Sequence, residues 1–463
     1  AYFAHKQSVH SLSDFFITNR TVPCMLLVGT ILATTINTLA VTGVPALVYK
    51  GGILYAQMWV IGIIAPLLIA LFGTKIWRYG KEHGVMTQGE MFAKYYHSRP
   101  LMFLTPFIGL LAIFPFMAIQ LSAIGKVFSA ATSGVINYEV AVIISACSIG
   151  MYLYLGGARA VVWTDVVQAL CFLIIIIASA ILFTSWSGGY VAGLSRLQEV
   201  IPQKLSFNEQ NTPIFIDNIL SWPFAFFLWP QLFQRMFMAK SEKAIRQSIP
   251  WNFILFNLVV LCTMTMGIMA TGTLYGKISD PDQLVAMMYQ EFLPLGGAMI
   301  VIAVFATGMS TVDSILLTAS SIFHRDILQH TSTKLLHGKD EYQVARLTAL
   351  GFLVVVTLFA LSPNGRGAMA PLVTLGASFA TLFLWPLVGM FYMQAVSSRT
   401  VFVTMCSGAI AILATKFTVL SEWLPFGSGT AGFLCGLIVF LCGALVIDRF
   451  SKKEMKNPEL CSI

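Results

Sequence analysis

Apolar stretches of roughly twenty residues, separated by short polar connections, recur about twelve times along the chain. About twenty apolar residues is the length a helix needs to cross the hydrocarbon of a bilayer. The pattern predicts spans at Cys24–Tyr49, Leu54–Phe72, Leu101–Phe128, Val140–Leu155, Ala160–Phe183, Pro213–Met238, Ile249–Leu274, Gly296–Phe323, Val344–Leu361, Ala368–Tyr392, Val401–Val419 and Ala431–Ile447. Runs such as Ala169–Phe183 lack the alternation of barrel strands, so the expected class is an all-α integral membrane protein.

Three spans depart from plain apolarity. The middle of the first, ATTINTLAVTG (Ala33–Gly43), carries Thr34, Thr35, Asn37 and Thr38 pointing in several directions. A helix broken around a cavity explains such a stretch, with ordinary intrahelical Thr hydrogen bonds as the alternative. The sixth, SWPFAFFLWPQLFQR, contains Pro223 and Pro230, each lacking a backbone donor, and is expected to be interrupted too. The eighth carries Thr307, Ser310, Thr311, Ser314, Thr318 and Ser321 along one side at helical spacing, with Asp313 on the flank. Hydroxyls of this kind either back-bond to their own helix and hold neighbouring helices, or offer hard oxygen donors to a small cation. The stripe with its carboxylate favours a sodium ion.

Spans one and six are five apart, and an odd offset makes them enter the membrane from opposite sides. That is the arrangement of a five-plus-five inverted repeat, with the binding site where the two broken helices meet. The expected organisation is one transporter domain over residues 1–463. It comprises a first repeat at 24–183, a second at 213–392, and two additional spans within 401–447.

Composition fits: 57% of residues are hydrophobic and 10% charged, where a soluble domain is nearer a quarter charged. Assigning loops alternately to two sides puts 21 of the 28 Lys and Arg on one side and 7 on the other. The richer side is read as cytoplasmic, with both chain ends on it and the protein in a bacterial inner membrane. The formal charge of +8 is therefore topology, and nucleic acid is not an expected partner. The eight Cys show no paired spacing and read as small buried hydrophobes. His324, His330 and His337 read as a solvated loop. No cleavable signal peptide is expected, and the opening AYFAHK reads as the end of a helix whose start is absent.

Of the 20 Asp and Glu, ten fall in cytoplasmic loops and eight on the outer side, leaving Asp165 and Asp313 at membrane depth. Each costs at least about 2.5 kcal/mol there unless paired or hydrated. The loop assignment puts no Lys or Arg at their depth, so a bound cation is expected to balance them. A protonated carboxyl is the alternative and keeps proton coupling open. One charge falling through 100 mV releases about 2.3 kcal/mol, enough for about fortyfold accumulation of a neutral solute.

Read together, SDFFITNR before the first span, GVPALVYKGG at its end, GGARAVVWTDVVQ at span five, PQLFQR in span six and GMSTVDS in span eight resemble the sodium/solute symporter family over essentially the whole chain. The resemblance implies a leucine-transporter-like fold and no enzyme activity. It also implies import of a small organic solute with sodium by alternating access. It implies a shared sodium site made by the carbonyls of Ala33, Ile36 and Thr307 and the hydroxyls of Ser310 and Thr311. Thr307 stands where similar proteins usually have Ala, but only its carbonyl is needed. A second sodium is implied at Asp165, Asp313 and Ser314, with Asp313 replacing a Ser of the two-sodium sialic acid transporters. Solute contacts are implied at Thr35, Asn37 and Thr38, at Gln57, at Gln120, and at Trp222 and Phe226. Trp222 matches an aromatic of the proline site, while Thr35 replaces an Asp of the proline transporters. That favours another solute, such as pantothenate or a monocarboxylate, its carboxylate held at a helix N-terminus since no buried Arg or Lys marks a clamp. Ordinary packing is the alternative for the aromatics. The rivals are a transporter-like sensor, with no kinase expected after the last span, a passive channel, and a proton-coupled symporter.

Overall fold

The computed structural model describes residues 11–448 apart from 53–56, 210–211, 279, 293–296, 332–339, 368, 394–395, 421–423 and 425. The opening AYFAHK and His337 therefore lie outside the described residues. Among the described residues, nine helices are long and apolar enough to cross a membrane, and the bent pair Cys24–Thr35 and Leu39–Gly51 makes a tenth. Helix Tyr138–Trp186, at 49 residues, is far too long for one pass and turns at Gly157, so it supplies two. Adding the broken Thr212–Leu228 and Pro230–Met238 brings the passes to the expected twelve.

The turn at Gly157 depends on its lacking a side chain. Its φ of 51° and ψ of −146° are open to glycine, and a Cβ there would lie 2.5 Å from Phe15 Cδ2. Phe15 belongs to the short helix Leu12–Ile17, N-capped by Ser11, whose Oγ accepts from Asp14 N at 3.1 Å. Asp14 Oδ1 in turn accepts from Arg159 Nε at 2.7 Å and Asn19 Nδ2 at 3.2 Å. The stretch before span one is thus packed against the turn between spans four and five, with Asp14, Phe15, Phe16 and Ile17 buried.

Three left-handed residues follow, Thr18, Asn19 and Arg20, with φ of 54°, 51° and 58°. They turn Arg20 to donate to three carbonyls: Phe237 O at 3.0 Å, Gly80 O at 2.8 Å and Val85 O at 2.6 Å. Burial pushes the Arg20 guanidinium down to about 10, with the nearby charge of Glu90 opposing, so it stays protonated at neutral pH. This clasp joins the ends of spans one, two and six on the basic face.

Other boundaries move outward from the apolar runs. Span two winds through a wide turn at Ile69–Gly73 and continues to His83, past its expected end at Phe72. Span five runs on to Trp186, past its expected end at Phe183, and the helix Tyr190–Val200 follows it. Span eight continues past Ser321 as the wide turn Ile322–Leu328. It carries His324 into the interior, 3.5 Å from Glu341 and not in a solvated loop. Cys262 is buried as expected, but Cys147, Cys171 and Cys442 are exposed.

Candidate functional site

Span one ends its first half at Ile36, whose backbone is extended at φ −85° and ψ 103°, and the second half leaves at 58° to the first. The polar residues make this break because they give the backbone other partners. Asn37 Oδ1 accepts from Leu39 N at 2.8 Å, and Gln120 Oε1 accepts from both Thr38 N at 3.0 Å and Thr38 Oγ1 at 2.7 Å. The break is therefore capped partly from within and partly by span three.

Span six breaks at Trp229, which sits at φ −56° and ψ 132° as the residue before a proline tends to. Pro223, expected to interrupt as well, is accommodated inside the helix, and only Pro230 breaks it. Trp229 lies face to face with Phe116 of span three at 4.4 Å and next to Phe226 at 5.0 Å.

Span eight meets the break of span one along the hydroxyl stripe. Ser310 Oγ contacts Ala33 O at 2.9 Å and Thr307 O at 3.1 Å, and Thr311 Oγ1 donates to Thr307 O at 2.9 Å. Gly308 permits the approach, since a Cβ on it would lie 2.9 Å from Thr38 Cγ2. Four of the five residues expected to hold the shared ion are thus in direct contact, and Ile36 is buried at the end of the same half-helix. A hard cation holds oxygens at about 2.3–2.6 Å, so neighbouring ligands sit about 3.3–3.7 Å apart. Seating an ion here requires Ser310 to turn its proton off Ala33 O and the oxygens to part by about 0.5 Å.

Every hydroxyl of the stripe also back-bonds within span eight, Ser314 to Ser310 O at 2.7 Å and Thr318 to Ser314 O at 2.8 Å among them. Several also reach other helices. Ser314 Oγ lies 3.2 Å from Thr34 Oγ1, and Thr318 Oγ1 donates to Gln234 Oε1 at 2.5 Å. The stripe thus back-bonds to its own helix and holds neighbouring helices.

The expected absence of a deep basic residue is wrong. Arg235, counted with the loop charges although the predicted sixth span runs on to Met238, is fully buried, and its Nη2 lies 3.4 Å from Asp165 Oδ2 and donates to Ser314 Oγ. The half-helix Pro230–Met238 brings it there after the Trp229 break. Asp165 Oδ2 also accepts from Thr30 Oγ1 at 2.5 Å, while Asp165 Oδ1 is buried without a hydrogen-bond partner. Asp313 accepts from Tyr152 OH and lies 3.3 Å from Ser314 Oγ. Two carboxylates thus face one guanidinium, and the second-ion residues already surround a cation of the protein itself. Thr30, Tyr152, Gln234 and Arg235 escaped the sequence reading. Thr30 and Thr34, one helical turn apart, were the only local signal.

The solute candidates divide. Thr35 and Phe226 line a cavity of about 20 Å³ among spans one, two, six and seven, together with Asn252 and Phe256. That is room for about one water. Asn37, Thr38 and Gln120 hold the break of span one. Gln57 and Trp222 are buried, and Gln57 Oε1 and Trp222 Nε1 have no hydrogen-bond partner, nor has Asn252 Oδ1. Buried polar atoms left without partners are rare and call for a polar ligand or water. The expectation of a bare helix N-terminus at the break is not met in span one, where Gln120 and Asn37 already hold the N–H groups of Thr38 and Leu39.

A model of the sodium:solute symporter family matches residues 15–408. The sodium/pantothenate symporter of Haemophilus influenzae is 24% identical, covering 97% of this chain and 93% of its own. Sodium/proline symporter 2 of Staphylococcus saprophyticus is 25% identical, covering 98% and 90%. Among solved structures, a Na+-coupled sialic acid symporter in a substrate-bound outward-open state superposes with a TM-score of 0.78 at 16% identity, over 96% of this chain and 94% of that one.

Proposed function

The chain belongs to the sodium:solute symporter family, and from that premise we propose that it draws a small organic solute into a bacterial cell by coupling it to sodium at the junction of spans one and eight. It is a multi-pass membrane transporter with the leucine-transporter-like fold. The ion binds the carbonyls of Ala33, Ile36 and Thr307 and the hydroxyls of Ser310 and Thr311. The observation that supports this is the 2.9 Å contact between Ser310 and Ala33, which joins two helices 277 residues apart at the break of one of them.

Binding from outside ties span one to span eight. With the break fixed by Thr38 on Gln120, the cavity lined by Thr35 and Phe226 opens for the solute, and Asn37, Gln57 and Trp222 supply further contacts. Low internal sodium then releases ion and solute together. The repeats span 24–183 and 213–392, and the basic face is cytoplasmic, against a bacterial inner membrane. Asp165, Asp313 and Ser314 form the second cation site, with Arg235 as its resident charge in the state described. A pantothenate-like monocarboxylate is the first solute to test, after the relative in Haemophilus influenzae.

The experiment is uptake into proteoliposomes under an imposed sodium gradient, with a panel of small carboxylates. Ser310→Ala with Thr311→Ala removes two of five oxygen ligands and should raise the sodium needed for half-maximal uptake about tenfold or more. Unchanged sodium dependence in that variant rejects the ion site.

A further inference from the structure

We propose that the basic face carries a seat for the phosphate of an anionic phospholipid, between the helix Gln88–Tyr95, the first turn of span three and the far end of span eight. It rests on the sidedness proposed above only for which leaflet supplies the lipid.

The depression there has a volume of about 340 Å³ and is lined by Glu90, Lys94, His97, Arg99, Arg325 and His330. One carboxylate faces three permanent cations and two imidazoles, and that carboxylate is already used. Glu90 Oε1 pairs with Arg325 Nη2 at 2.5 Å, and its Oε2 accepts from Met86 N at 2.8 Å. Among the described residues, Lys94 and Arg99 remain as uncompensated charge on the rim. Lys94 spends one proton on His83 O at 3.0 Å and keeps two for a ligand. Arg325 Nε is buried without a hydrogen-bond partner.

Depth decides between a lipid and a soluble anion. Met102 lines the same depression, and Phe103 and Phe107, one and two turns beyond Arg99 in span three, are 46% and 61% exposed. Cations give way to lipid-facing apolar side chains within a few residues, as a phospholipid gives way from headgroup to acyl chain. An adjoining depression shares Lys94 and His97 and adds Tyr79 and Tyr95, amphipathic rings of the kind that gather at this level. Basic pockets at helix ends on the side rich in Lys and Arg suit anionic headgroups. A free phosphate would engage only the charged half of the site.

The seat would also join two elements already tied by Thr87 Oγ1 to Asp326 Oδ1 at 2.5 Å and by Arg325 to Glu90. Occupancy should therefore appear as stability.

The test is thermal unfolding of the purified chain in neutral detergent with phosphatidylglycerol, phosphatidylcholine or inorganic phosphate. Phosphatidylglycerol should raise the midpoint and phosphatidylcholine should not. Lys94→Gln with Arg99→Gln should remove at least half of that rise. Lys240→Gln with Lys243→Gln, an equal charge change at exposed positions of the same face, should keep it. No rise with phosphatidylglycerol, an equal rise in the Lys94/Arg99 variant, or an equal loss in the Lys240/Lys243 control overturns the seat. A full rise with inorganic phosphate overturns the assignment to lipid.

Discussion

Removing Arg235 should damage the protein more than removing both Arg235 and the charge of Asp165. The two groups are fully buried with 3.4 Å between Nη2 and Oδ2. At an effective dielectric near 20 their attraction is 332/(20 × 3.4), about 5 kcal/mol. Desolvation cancels much of that in the intact pair, but removing one partner alone exposes the penalty, typically about 3–5 kcal/mol. Arg235→Met leaves Asp165 beside Asp313 with no guanidinium and strips Ser314 of a donor, so the upper part of that range is expected. Asp165→Asn alone costs less, because Asp313 still faces Arg235. The double variant, Arg235→Met with Asp165→Asn, buries no lone charge at this pair and keeps an acceptor for Thr30. It should recover about 2–4 kcal/mol relative to the sum of the singles. Unfolding in mixed detergent and dodecyl sulfate micelles reads all four proteins, and sodium-driven uptake in the same set separates folding from transport. Additive losses in the double variant would refute the pairing.

Three further outcomes follow from the fold. Gln120→Leu leaves Thr38 N and Oγ1 without their acceptor, so a loss of about 2–4 kcal/mol is expected by the same unfolding assay; a loss under about 0.5 kcal/mol would show that the cap does not hold the break. Gly157→Ala forces a Cβ to within 2.5 Å of Phe15 in a left-handed conformation, and folded yield should fall sharply, whereas wild-type yield would mean the turn is not tight. The stability difference between wild type and Arg20→Met should stay flat from about pH 7 to pH 9, because Arg20 holds its proton until about 10. Above that the folded protein loses the proton first, the unfolded chain holds more protons up to about 12.5, and wild type should gain on the variant as pH rises. A difference that instead shrinks with rising pH would show that Arg20 gains from its charge more than burial costs it.

What could be read from the chain is what local chemistry dictates. Pro230 must disturb its helix wherever it sits, and Asn37 beside Thr38 competes for backbone donors without any help from the fold. Ser310 and Thr311 could be placed on one side of a helix from spacing alone. Arg235 could not be placed, because an arginine after an apolar run looks like a loop residue until the Trp229 break redirects the half-helix inward. Its partner lies 70 residues away and gives no local cue. His324 was misread for a related reason, since the wide turn after Ser321 continues a helix that hydropathy had ended. The quoted motifs had recognisable residues but no visible reason. The structure supplies one: Asp14 of SDFFITNR pairs with Arg159 of GGARA, and Arg235 of PQLFQR with Asp165 of TDVVQ.

The buried guanidinium also bears on how the chain is made. An arginine within a span costs up to about 2.5–3.5 kcal/mol when its helix enters alone through the translocon. Asp165 leaves the ribosome before Arg235, so the counter-charge is already in place if span five has threaded in the correct sense. A nascent chain in which span five is inverted or still outside offers Arg235 nothing, and the half-helix after Trp229 should then stall at the lipid surface. One ion pair in the finished transporter thereby becomes a checkpoint on its assembly.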